Sequence, residues 1–427
     1  MSRQLLCEPH LPRSDLEMKL PSFIAENPSL ALFALLATAT SGFGQTFFIS
    51  VFGGFIRDTF ALSNSHYGLY YGGATLISAL LLLKLGGLVD HKPLWQVTLL
   101  AVLLLSMGCL LIGIAPHWML LIPGFLLIRL GGQALLSHLG VTVAGRYFTY
   151  SRGKIMALTV AGFPLAEATL PLAAGFLLIY GNWRLPWLAA VGILLLVALP
   201  LLLFLARTAP HPQSTSTNQS SADQNDLTRA EVLRDSDFYR LLPAALANPF
   251  SVTAVLFHQA TLIDLRNWPA EQVGLAFTGF AVGHLASLLI AGPLIDRFSA
   301  QRVLPVALLP LLAGLLVLTS ISADWALYVY LLLTGSSLGC SGAAGGALWP
   351  ERYGTRHLGA IRSVAQAVMV VSTAAAPILI GLLLDLSHST TWVGLFLSTG
   401  VAASILLAWS AKPVPGSHLR RQSARNS

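Results

Sequence analysis

Charge is scarce in this sequence. Of its 427 residues only 10% are charged and 55% are hydrophobic, whereas soluble domains carry about 25% charged residues. A water-soluble surface cannot be built from that composition. Cysteine is scarce too: Cys7, Cys109 and Cys340 are the only three. They provide neither a disulfide framework nor a metal cluster, and no metal or other cofactor is expected. A glycine-rich phosphate loop is also missing, since Gly153-Lys154 is followed by Ile155 and has no upstream glycine at the required spacing. The first 28 residues lack the apolar stretch of a signal peptide and are expected to form a cytoplasmic tail.

Long apolar runs are present in their place. Runs of about 20 residues recur, each able to cross ~30 Å of hydrocarbon, and a segment that crosses must be helical to satisfy its own backbone. Twelve such segments are predicted, over residues 29–56, 67–89, 94–115, 118–144, 155–180, 185–206, 241–263, 272–295, 303–321, 325–348, 361–384 and 391–409. The fold class is therefore all-α membrane protein, with two six-helix repeats around a central cavity. The expected divisions are a tail (1–28), a six-helix bundle (29–206), a cytoplasmic linker with a short amphipathic helix (207–240), a second bundle (241–410) and a second tail (411–427).

The two halves are copies. Gly86-Gly87-Leu88-Val89-Asp90 closes the second segment and Gly292-Pro293-Leu294-Ile295-Asp296 the eighth, 206 residues later. The same shift pairs Gly68 with Gly274, Gly73 with Gly279, Arg146-Tyr147 with Arg352-Tyr353, and Pro171 with Pro377. Solenoid units are roughly 20–50 residues long, so this period marks a duplicated domain.

The formal charge of +7 would suit a nucleic-acid partner in a soluble protein. Here it follows from the clustering of Lys and Arg in loops on one side of a membrane. With both termini cytoplasmic, Arg57, Arg184 and Arg266 face outward and Lys84 and Arg129 lie within segments, leaving twenty of the 25 on the cytoplasmic side. A bacterial inner membrane is the expected setting, without nucleic-acid partners, and the chain is expected to act as a monomer. Residues 208–225, rich in Ser, Thr, Gln and Asn, are expected to form a flexible linker. Thr228 and Glu231 form a capping box opening a short amphipathic helix through Val232, Leu233 and Phe238 at the membrane surface.

Ionisable side chains deep in a span are costly and mark function. Arg129 and Glu167 lie at similar depth, about 16 Å and 18 Å in from opposite ends of the fourth and fifth segments at ~1.5 Å per residue. They are expected to pair. Two roles are open to that pair: proton transfer at Glu167 tuned by Arg129, or neutralisation of two buried charges. Gln133, Ser137 and Gly140 share the face of Arg129 by helical period and are expected to line the cavity, while His138 faces away. Lys84 can reach the interface along its own stem. His258, Gln259 and His284 are the polar features of the seventh and eighth segments. The repeat maps the two histidines onto Phe52 and Ser78, so neither is required to build the fold, and each is either a proton or substrate group or a packing residue. Gln45 and Gln366 are weaker cavity candidates.

Six plus six segments, a central loop and the duplicated Gly-x-x-x-Asp resemble the major facilitator superfamily over roughly residues 29–409. The family's loop continues Asp-Arg/Lys-x-Gly, whereas Asp90 is followed by His91-Lys92-Pro93 and Asp296 by Arg297-Phe298-Ser299. The resemblance implies a latch in which the Gly86–Asp90 loop meets the eleventh segment near Arg356 and Arg362. It likewise implies that the Gly292–Asp296 loop meets the fifth segment near Arg152 and Lys154. The stretches Arg146-Tyr147-Phe148 and Trp349-Pro350-Glu351-Arg352-Tyr353 look like bacterial members near the organic-anion and monocarboxylate branch. Superfamily antiporters often carry Gly-Pro where this chain has Ala166-Glu167, which favours uptake.

What the resemblance implies is a secondary active transporter moving a small metabolite, an organic anion among the possibilities, by alternating access with proton-coupled uptake. The alternative is an efflux antiporter. A transport-dead sensor and an intramembrane hydrolase are readings of another class. Gly335-Ser336-Ser337-Leu338-Gly339 fits Gly-x-Ser-x-Gly but lies inside a span, without the strand-turn-helix that a nucleophile elbow requires, so no enzyme is expected.

Overall fold

A computed structural model describes residues 27–148, 152–207, 227–354 and 357–413, the side chains at 89, 90, 152 and 358–360 excepted. Twelve helices are long and apolar enough to cross a membrane. They are α1 (Pro28–Ser50), α2 (Asn64–Leu85), α3 (Leu94–Gly113), α4 (Trp118–Tyr147), α5 (Gly153–Leu178), α6 (Arg184–Ala206), α7 (Ser236–Phe257), α8 (Ala270–Phe298), α9 (Ala300–Ser320), α10 (Trp325–Tyr353), α11 (Ile361–Ser387) and α12 (Thr390–Ser410). The expected linker and tail at 208–226 and 414–427 lie outside the described residues. An even number of crossings puts Pro28 and Ser410 on one face, here the terminal face; the opposite one is the far face.

Several helices depart from regular geometry where chemistry is placed. α1 tightens into a single 3-10 turn at Gly42–Gly44, becomes extended at Gln45 and, beyond Val51 and Phe52, continues as Gly53–Phe60. Gly44 is needed there, because a Cβ on it would stand 2.2 Å from the Ile128 carbonyl oxygen of α4. Opposite this break, Arg129–Leu136 of α4 is wound as a π-helix, a rare geometry frequent at functional sites. α7 turns at His258 and resumes as Gln259–Arg266.

The two halves are joined by crossings that the repeat makes twice. A Cβ on Gly68 would lie 2.3 Å from the Pro377 carbonyl oxygen, so α2 and α11 touch backbone to backbone. At the equivalent crossing of α8 on α5, a Cβ on Gly274 would come 3.3 Å from the Pro171 carbonyl oxygen. Small residues permit such approach in membrane bundles. Each proline also lacks the N–H that would bond the carbonyl four residues back. These carbonyls belong to Glu167 and Thr373, themselves 206 residues apart. Both crossings lie toward the far face. At the terminal face, Cβ atoms added to Gly153 and Gly292 would meet nothing within 4 Å among the described residues.

The linker helix is shorter than expected and is docked on protein. Thr228 and Glu231 make both bonds of the capping box, and the Thr228 N–H and hydroxyl hold the Glu231 carboxyl below its ordinary value. The helix covers only Arg229–Val232, and Asp235 already caps α7 by accepting from the Asp237 N–H. Phe238 therefore belongs to α7. Val232 and Phe238 are buried, and the Leu227 N–H donates to the Tyr353 carbonyl. Arg352 closes the C-terminal half at this face by bonding Asp237 at 2.5 Å, Gln301 at 3.0 Å and the Lys412 carbonyl at 2.8 Å.

The crossings predict opposite outcomes for two glycines of α2 that face different sides. Gly68→Ala forces α2 off the Pro377 carbonyl and destabilises the protein by about 1–3 kcal/mol, read as a lower Tm in detergent. A Cβ on Gly73 meets nothing within 4 Å, so Gly73→Ala is neutral or stabilising by up to about 1 kcal/mol.

Candidate functional site

Glu167 and His284 are both flagged by the sequence, but as members of different clusters. The fold brings them together across the halves: Glu167 Oε2 of α5 lies 2.7 Å from His284 Nδ1 of α8, with the residues 3% and 7% exposed. Both stand near mid-span. Removal of either partner would leave a polar group stranded in hydrocarbon. The equivalent positions at the α2–α11 crossing are Ser78 and Thr373, both buried and uncharged. One of two quasi-equivalent crossings thus carries an ionisable pair and the other carries hydroxyls.

Arg129 is not the partner of Glu167, contrary to the expectation from depth. Its Nε donates to Thr75 Oγ1 at 3.1 Å and its Nη1 to the Gly44 carbonyl at 3.1 Å. Its guanidinium lies 5.0 Å from the Tyr71 ring centre. Among the described residues no carboxylate comes within 4.0 Å of it, although it is only 1% exposed. The break in α1 explains this. With Gly42–Gly44 bent toward α4, a backbone carbonyl and the Thr75 hydroxyl reach the guanidinium first. The stripe below Arg129 meets α1: Ser137 donates to Ser41 at 3.1 Å, and Gln45 reaches Ser137 at 3.5 Å. Gln133 is half-buried, with its backbone against Gly44. His138 is exposed.

Between Arg129 and the far face lies an aromatic plug. Phe257, the last residue of α7, stacks on Tyr67 at 4.5 Å and leans on Tyr71 at 4.3 Å, both from α2. The Tyr71 hydroxyl is 2.7 Å from Thr46 Oγ1. Next to the plug, His258 Nε2 is 2.7 Å from the Pro377 carbonyl oxygen, which fixes that nitrogen as the protonated one. Among the described residues, His258 Nδ1 and both amide atoms of Gln259 are buried without partners. Gln366 is exposed on α11.

A second interlock closes the far face outside the plug. Asp385 of α11 accepts from the Asn64 N–H and Nδ2 at 3.0 Å and from the Ser65 N–H at 2.9 Å, capping the first turn of α2. Thr261 donates to Asn64 Oδ1 at 2.7 Å. The predicted eleventh segment stops at Leu384, but the helix reaches Ser387 and carries Asp385 inside its last turn. Residues 64–66 fall in a predicted loop and are the first turn of α2. The signal that could have found the interlock is an acidic residue closing one crossing helix and an Asn-Ser start on the helix it crosses.

The profile of the Major Facilitator Superfamily matches residues 34–269 and again 241–427. The chain belongs to the Major Facilitator Superfamily. Solved structures agree on the fold. A bacterial homolog of the human lysosomal transporter Spinster, inward-facing and unoccupied, is 15% identical with a TM-score of 0.67, over 90% of this chain and 98% of that one. The nucleoside transporter NupG is 14% identical with a TM-score of 0.64, over 89% and 98%. Comparison with curated protein sequences finds no match. The protein is accordingly a transporter and not an enzyme, and in this superfamily a small molecule is what crosses. Ser337 is engaged in packing, accepting from Asn248 Nδ2 at 2.7 Å and donating to the Ala307 carbonyl at 2.7 Å.

The superfamily's loop latch is only partly within view. Asp90, Arg152 and Arg356 lie outside the described side chains. Asp296 is exposed, and Arg362 donates to the Gly346 carbonyl of its own half at 2.6 Å. Cβ atoms on Gly86 and Gly292 differ in surroundings: the first meets the Leu82 carbonyl at 2.9 Å and the second meets nothing within 4 Å.

Asp385→Ala is expected to loosen the far face. Loss of three bonds to one carboxylate lowers the ratio of far-closed to far-open molecules roughly tenfold, the equivalent of about 1.4 kcal/mol. An impermeant maleimide added from the far side should then label Thr46→Cys faster in the Asp385→Ala background than without it. Equal labelling rates would remove Asp385 from the closure.

Proposed function

We propose that the protein takes up a small organic anion together with protons, and that Glu167 and His284 form the proton-sensitive joint. The observation that carries this reading is the 2.7 Å contact between the two side chains across the halves. Imidazole is the side chain whose charge changes near physiological pH. One proton on the pair makes an imidazolium–carboxylate contact that draws α8 onto α5 and favours far-face closure. Release of that proton toward the terminal face leaves a neutral imidazole beside the carboxylate, weakens the contact, and lets the empty halves rock apart at the far face. Proton loading and far-face closure thus go together, as uptake requires.

Arg129 supports the choice of an anion. A buried guanidinium with no acidic partner among the described residues carries an uncompensated positive charge at the bundle centre, and a carboxylate or phosphate suits its fork geometry. The basic residues crowding the terminal-face loops favour cytoplasmic termini, so the far face is external and the inner membrane of a bacterium is the natural location. The single chain holds both halves and both crossings, which fits a monomer. Efflux remains the alternative, and the sign of proton movement separates the two.

Carboxylates and phosphate esters that raise the Tm of the purified protein provide the substrates for transport. In proteoliposomes, uptake of such a compound should acidify the lumen and be driven by an alkaline interior. Proton movement out of the lumen during uptake would establish exchange instead. Glu167→Gln should keep substrate exchange but lose accumulation under a pH gradient by at least about tenfold, since an interaction with a buried charge is worth roughly 1.5–3 kcal/mol. Accumulation by Glu167→Gln at the unaltered level would end the proton role of the pair.

A further inference from the structure

α11 and α12 are consecutive in the chain, yet they leave a groove between them whose floor is α7. The cavity measures about 710 Å³ and is walled by Leu383 of α11 and by Phe396 and Ser404 of α12, with Ala247 and Phe250 of α7 beneath. Its α12 wall belongs to the outward surface of the bundle: Trp392 is 61% exposed, Leu395 46% and Phe396 50%. The mouth of the groove is therefore continuous with the face that a spanning helix presents to lipid. Its length along α12, from Trp392 to Ser404, is twelve residues or about 18 Å at ~1.5 Å per residue. That is close to one leaflet of a hydrocarbon core ~30 Å thick. Trp392 lies in the first turn of α12, the interfacial depth at which Trp is enriched. Its lining is mostly apolar, with four hydroxyls, of which that of Ser404 is already spent on the Gly400 carbonyl at 2.7 Å.

We propose that this groove is a binding site for one acyl chain of a bilayer phospholipid, with the headgroup at the far-face interface beside Trp392. The site acts on the transport machinery through its wall. α11 carries Pro377 and Asp385, which meet α2 at the far face. A chain wedged between α11 and α12 braces the helix that closes that face. The inference stands on the groove and is independent of the substrate and of proton coupling.

Gly400 gives the test, because it lines the groove and a Cβ added there meets nothing within 4 Å. Gly400→Phe fills the groove without a backbone clash. Gly192→Phe in α6 is the control, being equally open and in the other half. Each protein is reconstituted with dioleoyl phosphatidylcholine, returned to mild detergent and examined by native mass spectrometry for retained lipid. The unaltered protein and Gly192→Phe should keep about one phospholipid per chain, and Gly400→Phe roughly tenfold less, as expected for loss of buried chain methylenes. Should Gly400→Phe fail to fold, Ala403→Leu occupies the same groove. Equal retention in groove and control variants, or no retained lipid in the unaltered protein, overturns the proposal.

Discussion

The structure depends on two backbone-to-backbone crossings, α2 on α11 and α8 on α5. In a bilayer no hydrophobic force drives helices together, so two halves of one chain stay associated only where small residues let them approach and polar groups find partners. Gly68 against Pro377 and Gly274 against Pro171 supply the approach. Duplication gives both crossings the same backbone frame, including a proline that leaves a carbonyl free four residues earlier. Both joints lie toward the far face, so the proposed rocking of the halves would turn about that end.

Within that shared frame the two crossings have diverged in chemistry. At one, Glu167 meets His284 at mid-depth; at the other, the same positions are Ser78 and Thr373, and the polar tie has moved outward to Asp385 and the first turn of α2. A pair at mid-depth is shielded from both aqueous phases when the bundle is closed around it. A carboxylate capping a helix start near the surface is not. Under the proposed coupling the first holds and hands over a proton, and the second holds a closed end. A strictly symmetric protein could not divide those tasks, since any group placed at one crossing would recur at the other.

Much of this frame was legible in the sequence because it depends on residues that cannot be replaced locally. Glycines that let backbones touch and prolines that free a carbonyl keep one register across 206 residues, and segment length follows from bilayer thickness. The partners within the site were less legible. Depth along a helix is read directly from residue count, and it placed Arg129 and Glu167 at one level. It says nothing about azimuth. Azimuth was set by the break at Gly42–Gly44 and the widened turn at Arg129–Leu136, which hand the guanidinium to the Gly44 carbonyl and Thr75. Glu167 was left to face the other half, where His284 stood at matching depth. The turn at His258 that places Phe257 between Tyr67 and Tyr71 has no proline or glycine of its own to announce it.

The position of Arg129 constrains what the far-closed arrangement can bind. Its Nε and Nη1 are held by neutral acceptors, so they fix the guanidinium plane without cancelling its charge. Tyr71, over which that plane lies, also carries one side of the Phe257 plug. An anion that draws the guanidinium out of this setting must disturb Tyr71, and with it the contact between α2 and α7 that seals the far face. For the proposed anion, substrate and gate would thus be coupled through one ring. The coupling needs no long pathway, because Arg129, Tyr71 and Phe257 form a single contiguous contact from the N-terminal half to the C-terminal half.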